Sequence, residues 1–405
     1  MGAATGFLVS LLLWRYVGEQ GAGLFFLALT CRNLAAAIGK GGFDRILVRT
    51  VAAYAATEDS ASIHGAHRFA IQQAFKRSLI VATILAALAW PLANFVFHKP
   101  MAGLLALMAL TVIPAAIAQL SCASIRGLKY TATSQFIDSA FGPLASCLLL
   151  PVFASLYGVE GAAIGRGLAL VCGASLAWFV WRRVAPPLQG SSPRCDTAEF
   201  TQASQPLLHT DLMNLLMTSL PMLLLGYWQE ATEAGIYGIA LRTAMLIAFI
   251  QMGLNAILGP KFAAMWKLQD LDELRDLARK ASWFAFFTAL PFAALFCSAP
   301  AWVLSIFSEQ AAVEGSMALI LLAISQLVNV ASGPVGSLLV MSGHQRMVRN
   351  GTLFTVALQL ALCIWLIPTD GAMGAAIATA VGVTTKNLIN VVLVRKYLGV
   401  RLLLG

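Results

Sequence analysis

Three arginines sit where arginine is costly. Arg32, Arg166 and Arg242 each fall inside an apolar run of about twenty residues, the length that crosses bilayer hydrocarbon. An ionised side chain at that depth costs at least ~2.5–3.5 kcal/mol on insertion scales, so each needs a reason. At ~1.5 Å per helical residue, Arg32 lies ~15 Å into its run, near the midplane, and Arg166 and Arg242 lie ~10 Å into theirs. A guanidinium stays charged and presents a planar fork of donors that matches phosphate. Three of them on interior helix faces would make a cationic cavity for a phosphorylated ligand. The competing expectation is a structural ion pair, or a side chain that snorkels to the surface.

Other polar groups in apolar runs are weaker signals. Asp211, Asn214 and Thr218 follow one another at i, i+3 and i+7, so they share a helix face. That stripe must face protein or water, never lipid. It would line a cavity, or Asp211 would pair with one of the arginines. Gln251 with Asn255, and Gln326 with Asn329, read as interhelical hydrogen-bonding pairs. Lys386 and Asp138 lie close enough to a surface to snorkel.

Enzymatic chemistry has little support. His64-x-x-His67 has the spacing of a ligand pair but no third partner near it in sequence, so no metal site is expected. No nucleophile elbow, phosphate loop or dinucleotide fingerprint occurs, and neither a catalytic residue nor a cofactor is expected. Six of the seven cysteines lie inside apolar stretches and read as small hydrophobic packers.

The elements that must position these residues follow from composition and charge. Of 405 residues, 59% are hydrophobic and 11% charged, against about 25% charged in soluble domains. Apolar spans are expected near residues 3–14, 22–39, 78–97, 101–122, 137–156, 161–180, 206–227, 236–258, 283–306, 317–340, 352–367 and 372–394. Of the 27 Lys and Arg, 21 fall in every second gap between spans, four lie within spans, and the intervening gaps hold only Arg15 and Lys99. Short basic loops stay cytoplasmic, which predicts a multi-pass protein with both termini cytoplasmic. The net charge of +9 follows this parity and forms no aromatic-interleaved patch, so nucleic acid is not an expected partner; anionic lipid headgroups are. The start at Met1-Gly2-Ala3 has no basic n-region, so no secretory signal is expected.

The chain also repeats. Gly158-Val-Glu-Gly161-Ala-Ala-Ile164 recurs as Gly371-Ala-Met-Gly374-Ala-Ala-Ile377, each copy opening the last span of a group of six. The expected fold class is therefore an all-α polytopic membrane protein, with about 12 transmembrane helices in two six-helix lobes related by a parallel pseudo-twofold repeat. Such repeats place the substrate site at the interface between halves. The lobes are expected at 1–182 and 206–405, joined by a cytoplasmic linker at 183–205 rich in Pro, Gly and Ser. Residues 262–280, with Leu268, Leu271, Leu274 and Leu277 on one stripe, read as an interfacial amphipathic helix, and residues 51–77 hold the equivalent place in the first half.

Several segments resemble one known family. Arg15-Tyr-Val-Gly18-Glu-Gln-Gly21-Ala-Gly23 and Gly42-Phe-Asp-Arg45-Ile-Leu-Val-Arg49 resemble the opening of polysaccharide-biosynthesis membrane proteins. These form the O-antigen-type flippase branch of the multidrug/oligosaccharidyl-lipid/polysaccharide (MOP) exporter superfamily. Gly235-Ile-Tyr237-Gly-Ile-Ala240-Leu-Arg242 with Gly259-Pro260 resembles the family's eighth span, and Leu366-Ile367-Pro368 through Thr379 the junction of its last two. The resemblance implies two six-helix lobes around a cavity that opens alternately to each side. It also implies a lipid-linked sugar substrate, with Arg32, Asp211, Asn214 and Arg242 facing the lumen. Many relatives carry an acidic residue where this chain has Pro221-Met222, so a cation-coupling role for that position does not carry over.

The function expected is a flippase for a polyprenyl-diphosphate-linked oligosaccharide in a bacterial inner membrane, working beside glycan-assembly enzymes. Arg32, Arg242 and Arg166 would meet the diphosphate, and Asp211 and Asn214 would line the cavity. A drug/cation antiporter of the same superfamily predicts intramembrane acids in place of arginines. A polytopic polymerase or acyltransferase predicts a large outer loop or a buried histidine site. A non-transporting scaffold predicts that Arg32 is replaceable.

Overall fold

The computed structural model describes residues 2–187, 197–268 and 270–400, and within them every regular element is helical. The chain packs as two compact units, Met1–Leu215 and Leu216–Gly405. The first contains α1 (Gly2–Lys40), α2 (Phe43–Ala56), α3 (Ser60–Pro91), α4 (Ala102–Leu110), α5 (Val112–Gly127), α6 (Thr131–Phe136), α7 (Gly142–Val184) and the opening turns of α8 (Thr197–Trp228). The second contains the rest of α8, then α9 (Ala231–Lys267), α10 (Leu271–Ser298), α11 (Pro300–Ser305), α12 (Glu309–Ala331), α13 (Val335–Met341) and α14 (Gln345–Leu398).

Among the described residues, nine helical segments are long and apolar enough to cross a membrane. Three of these bend sharply in mid-course: α1 at Gly18, α7 at Tyr157-Gly158 and α14 at Gly371. Counting each bent helix as two passes gives the twelve expected.

The bends in α7 and α14 show why the repeated glycines are there. Gly158 (φ 58°, ψ −134°) and Gly371 (φ 51°, ψ −127°) adopt nearly the same conformation, one that L side chains avoid. Three residues on, a Cβ at Gly161 would collide with the Phe153 carbonyl, and one at Gly374 with the Leu366 carbonyl. The first glycine turns the chain, and the second lets the returning helix close against the one it has left. In the second unit the Glu233 carboxylate accepts the Ala372 amide at 2.6 Å, holding the start of the returning segment.

Packing inverts the soluble pattern. The buried face of α3 is Ala66, Ala70, Ala74, Ser78, Ala82, Leu85 and Ala89, while Ile80, Ile84 and Trp90 point outward. Lipid leaves no hydrophobic penalty on large outward side chains, and small inward ones let backbones approach.

Two stretches depart from expectation. Residues 262–280 are not a separate amphipathic helix: α9 runs to Lys267, and α10 begins at Leu271. The Asp270 side chain caps the Glu273 amide, and Leu274 turns into the core of the second unit while Leu268 stays exposed. Residues 51–77 likewise divide between the end of α2 and the start of α3, which Asp59 caps through the Ser62 amide. Within the expected linker, residues 188–196 lie outside the described residues, α7 reaches Val184, and α8 is already helical at Thr197.

The early start of α8 has a packing cause. Phe200 is buried against Phe43 and Phe69, with ring centroids 5.6 and 5.8 Å away. One turn later, the α8 backbone at Ser204 and Leu208 presses on Gly42. Gly42 has φ 74°, and a Cβ there would lie 2.6 Å from the Ser204 oxygen and 2.7 Å from the Leu208 nitrogen. Phe200, Ser204, Leu208 and Asp211 form one stripe of α8, and the Gly42–Arg45 corner grips it. Gly42→Ala is therefore expected to cost ~1–3 kcal/mol, through a disfavoured backbone conformation and overpacking together. Gly142→Ala, at a helical position with nothing within 4 Å of the new Cβ, should be neutral or stabilise by up to ~1 kcal/mol. Thermal unfolding in detergent compares them, and equal melting of the two variants would rule out the grip.

Candidate functional site

Arg32 lies on α1 and is 5% exposed. Its Nε donates to Thr111 Oγ1 at 3.0 Å, Nη1 donates to Asn33 Oδ1 at 2.9 Å, and Nη2 reaches the Thr111 carbonyl at 3.4 Å. Thr111 occupies the break between α4 and α5. Pro114 explains that break, because it supplies no amide to the Leu110 carbonyl and its ring crowds the preceding turn. The Thr111 hydroxyl gives its own proton to the Met108 carbonyl at 2.7 Å, so its lone pairs are left for the guanidinium.

Arg166, on α7, repeats the device. Its Nη1 donates to Ser146 Oγ at 2.8 Å, and that hydroxyl donates to the Gly142 carbonyl, also at 2.8 Å. Gly167 packs beside Thr111, and the two guanidinium groups are near enough to repel each other. Among the described residues, no carboxylate lies within 4.0 Å of either one. Neutral acceptors satisfy N–H groups but cancel no charge. The pair therefore leaves a net positive field in an apolar interior, where Coulomb attraction for an anion is strong.

Asp211 is placed differently. Its Oδ1 lies 2.5 Å from Arg45 Nη2, so it pairs with an arginine of a basic gap and not with a deep one. Lys40 with Asp44 at 2.9 Å and Arg126 with Asp138 at 3.5 Å complete a patch of three ion pairs, around a cavity of about 280 Å³. Asn214 donates to the Thr210 carbonyl at 2.9 Å, one turn back on α8. Arg242 is half-buried in the second unit, with Nη1 on the Gly238 carbonyl at 3.1 Å.

The structure thus brings Arg32 and Arg166 together and ties Asp211 to Arg45. Sequence reasoning missed Thr111 and Ser146. Their only trace is a hydroxyl near a helix-breaking proline in one case and a serine facing an arginine across a glycine bend in the other. Gln251 bonds to the Gly333 carbonyl, in the connection between α12 and α13, at 2.7 Å, and Asn329 donates to Gln326 on its own helix.

The sequence profile described as "Polysaccharide biosynthesis protein" matches residues 12–312. No curated protein matches the chain significantly. An inward-facing multidrug resistance MATE family transporter of the MOP superfamily superposes with TM-score 0.78 at 16% identity, covering 98% of this chain and 95% of that one. The lipid II flippase MurJ in an inward closed conformation gives 0.75 at 13% identity, with 97% and 86% covered. A MOP superfamily transporter from Pyrococcus furiosus gives 0.70 at 19%, with 98% and 93% covered. At these identities the likeness is one of fold, and it agrees with the all-α, twelve-pass architecture.

Two measurements probe the site's supports. Thr111→Val keeps the shape but strands the Arg32 Nε–H, at an expected cost of ~1–3 kcal/mol, while Thr111→Ser should melt close to the parent. For Arg45 and Asp211, a double-mutant cycle (Arg45→Ala, Asp211→Ala and both) should give a coupling of about 1 kcal/mol that shrinks as salt rises, since Arg45 is half-exposed. Additive losses would show that the contact contributes nothing.

Proposed function

The chain belongs to the polysaccharide biosynthesis protein family, and on that premise we propose that it flips a polyprenyl-diphosphate-linked oligosaccharide across a bacterial cell membrane by alternating access. The observation that carries the proposal is the Arg32–Arg166 pair: two neighbouring guanidinium groups held by neutral oxygens alone. A diphosphate supplies the missing negative charge and accepts the planar donor fork. Arg242 offers the same chemistry from the second unit, and Asn214 offers a neutral polar contact. Both termini are assigned to the cytoplasm from the basic loops, where glycan-assembly enzymes would supply the loaded lipid. No covalent step is required of the protein.

The antiporter reading needs a carboxylate available to a cation. Asp211 and Asp138, the two acids singled out on the basic side of the spans, are each paired with an arginine, which favours an anionic cargo. The test follows translocation of a polyprenyl-diphosphate-linked glycan in vesicles at matched levels of folded protein. Arg32→Ala and Arg166→Ala should each slow transport about tenfold or more, the effect of losing one hydrogen bond to a charged group worth roughly 1.5 kcal/mol. Arg32→Lys should fall between, keeping charge without the fork. Full transport by the double alanine variant would remove the pair from the mechanism.

A further inference from the structure

A second cationic site lies in the first unit, away from the Arg32–Arg166 pair, and it does not depend on the transport proposal. The opening turns of α3, the last turns of α7 and the middle of α5 enclose a cavity of about 420 Å³. On α3 the lining residues fall at helical spacing, His64, His67, Arg68 and Ile71, so one face of the helix is turned to it. The α7 wall is Trp178, Trp181 and Arg182.

The wall is rigidly built. Trp181 is buried, with the His67 ring stacked on it at 4.1 Å between centroids and the His64 ring edge-on at 6.0 Å. His64 Nε2 donates to the Pro186 carbonyl at 2.8 Å. His67 Nδ1 meets Ser124 Oγ at 2.8 Å, and since that hydroxyl donates to the Leu120 carbonyl, the imidazole is the donor. The two histidines are therefore engaged in holding the wall, and the charge available to a ligand comes from the arginines.

Those arginines are placed for it. The Arg182 guanidinium lies over the Trp178 ring, 3.9 Å from its centroid, which holds it at the cavity wall. Arg68 is exposed at the rim. Among the described residues, neither has a carboxylate within 4.0 Å. Ser121, also in the lining, is 1% exposed, and its hydroxyl has no hydrogen-bond partner. A buried hydroxyl without a partner is rare and calls for one.

Two guanidinium groups, a waiting hydroxyl and an aromatic wall suit a phosphate carried by an amphiphile. The level in the fold favours lipid over a soluble phosphate. Outward side chains of α7 remain apolar through Trp178 and Phe179, and on α3 Phe75, Leu79 and Ile80 are exposed beside the site. The apolar surface gives way to Arg182 and Arg183, each lying over one of the last aromatics, the arrangement of a membrane–water boundary. We infer that this cavity binds the phosphate headgroup of an anionic phospholipid from the leaflet facing the basic loops, with Arg68 and Arg182 as its cationic contacts and Ser121 as a neutral donor.

The test uses the full chain, delipidated in detergent, titrated with phosphatidylglycerol or phosphatidylcholine while its melting temperature is followed. Phosphatidylglycerol should stabilise at lower concentration than phosphatidylcholine. The double variant Arg68→Gln/Arg182→Gln should raise the half-saturating concentration of phosphatidylglycerol about tenfold or more and leave the phosphatidylcholine titration unchanged. The double lysine variant should retain part of the preference. Arg183→Gln, a neighbouring cation outside the lining, should titrate like the parent. An unchanged phosphatidylglycerol titration in the double glutamine variant overturns the site, as does an equal loss in Arg183→Gln. An arginine-dependent shift with inorganic phosphate alone, equal to that with lipid, overturns the lipid assignment. If the double variant does not fold, the two single variants decide: no weakening in either one rejects the inference.

Discussion

A guanidinium in an apolar interior keeps its charge and must still find acceptors for its donors. Arg32 imposes that condition on three stretches of the first unit at once. The α1 helix carries it, the α4–α5 break opens toward it, and α7 brings Arg166 alongside. Thr111 serves that guanidinium while its carbonyl also accepts the Ala115 amide at 3.2 Å and its hydroxyl donates one turn back to the Met108 carbonyl. At the Pro114 break, Thr111 offers both a hydroxyl and a carbonyl to one side chain. Replacing those neutral oxygens with a carboxylate would make the pair more stable in isolation and less receptive to an anion. The arrangement found solves the hydrogen-bonding problem and leaves the charge problem open, which is the state expected of a binding group.

The remaining architecture keeps that arrangement closed to lipid. A Gly158-type bend joins two helical passes through one or two non-helical residues, so little irregular backbone needs partners, as a medium without water demands. Small residues on the inner faces bring helix axes close, so that the short side chains of Ser146 and Thr111 can reach an arginine on a neighbouring pass. At the basic end, the Gly42 corner, the Phe43–Phe200 contact and the Arg45–Asp211 pair hold the opening turns of α8 in the first unit. The boundary between the units, at Leu215–Leu216, falls within the residues of α8.

The number of passes was legible in the sequence because apolar length and loop charge act over many residues and tolerate local error. The bends at Gly158 and Gly371 were legible as a motif, although only the structure shows which carbonyl each second glycine must admit. The need of Arg32 for interior partners was legible too. Its acceptors were not, since Thr111 lies 79 positions away and a lone threonine in an apolar run carries no pattern. The polar stripe calls for a partner to Asp211, but periodicity cannot tell an arginine within a span from one on the α2 helix that fills a basic gap. The choice of Arg45 depends on α8 starting early, which in turn depends on Phe200 finding Phe43. The amphipathic stripe at 262–280 misled because a leucine repeat looks the same whether it lies on a membrane surface or caps a buried core. Asp270 and the burial of Leu274 decided between those outcomes.

The pairing of Asp211 with Arg45 bears on cargo as well as on packing. A protein that carried cations through its interior would hold carboxylates free of counter-charge and keep arginines at the surface. Here the distribution is reversed. Asp211 and Asp138 are paired with Arg45 and Arg126, while Arg32 and Arg166 hydrogen-bond to neutral oxygens. Under the proposed function, the like charges of Arg32 and Arg166 are what an entering diphosphate would relieve. The same relief must not be too large, or the anion would never leave. Ligation by neutral oxygens moderates it, because the guanidinium donors can return to Thr111 and Ser146 when the cargo departs. In the proposed function such a site would bind and release without chemistry, as a translocator requires.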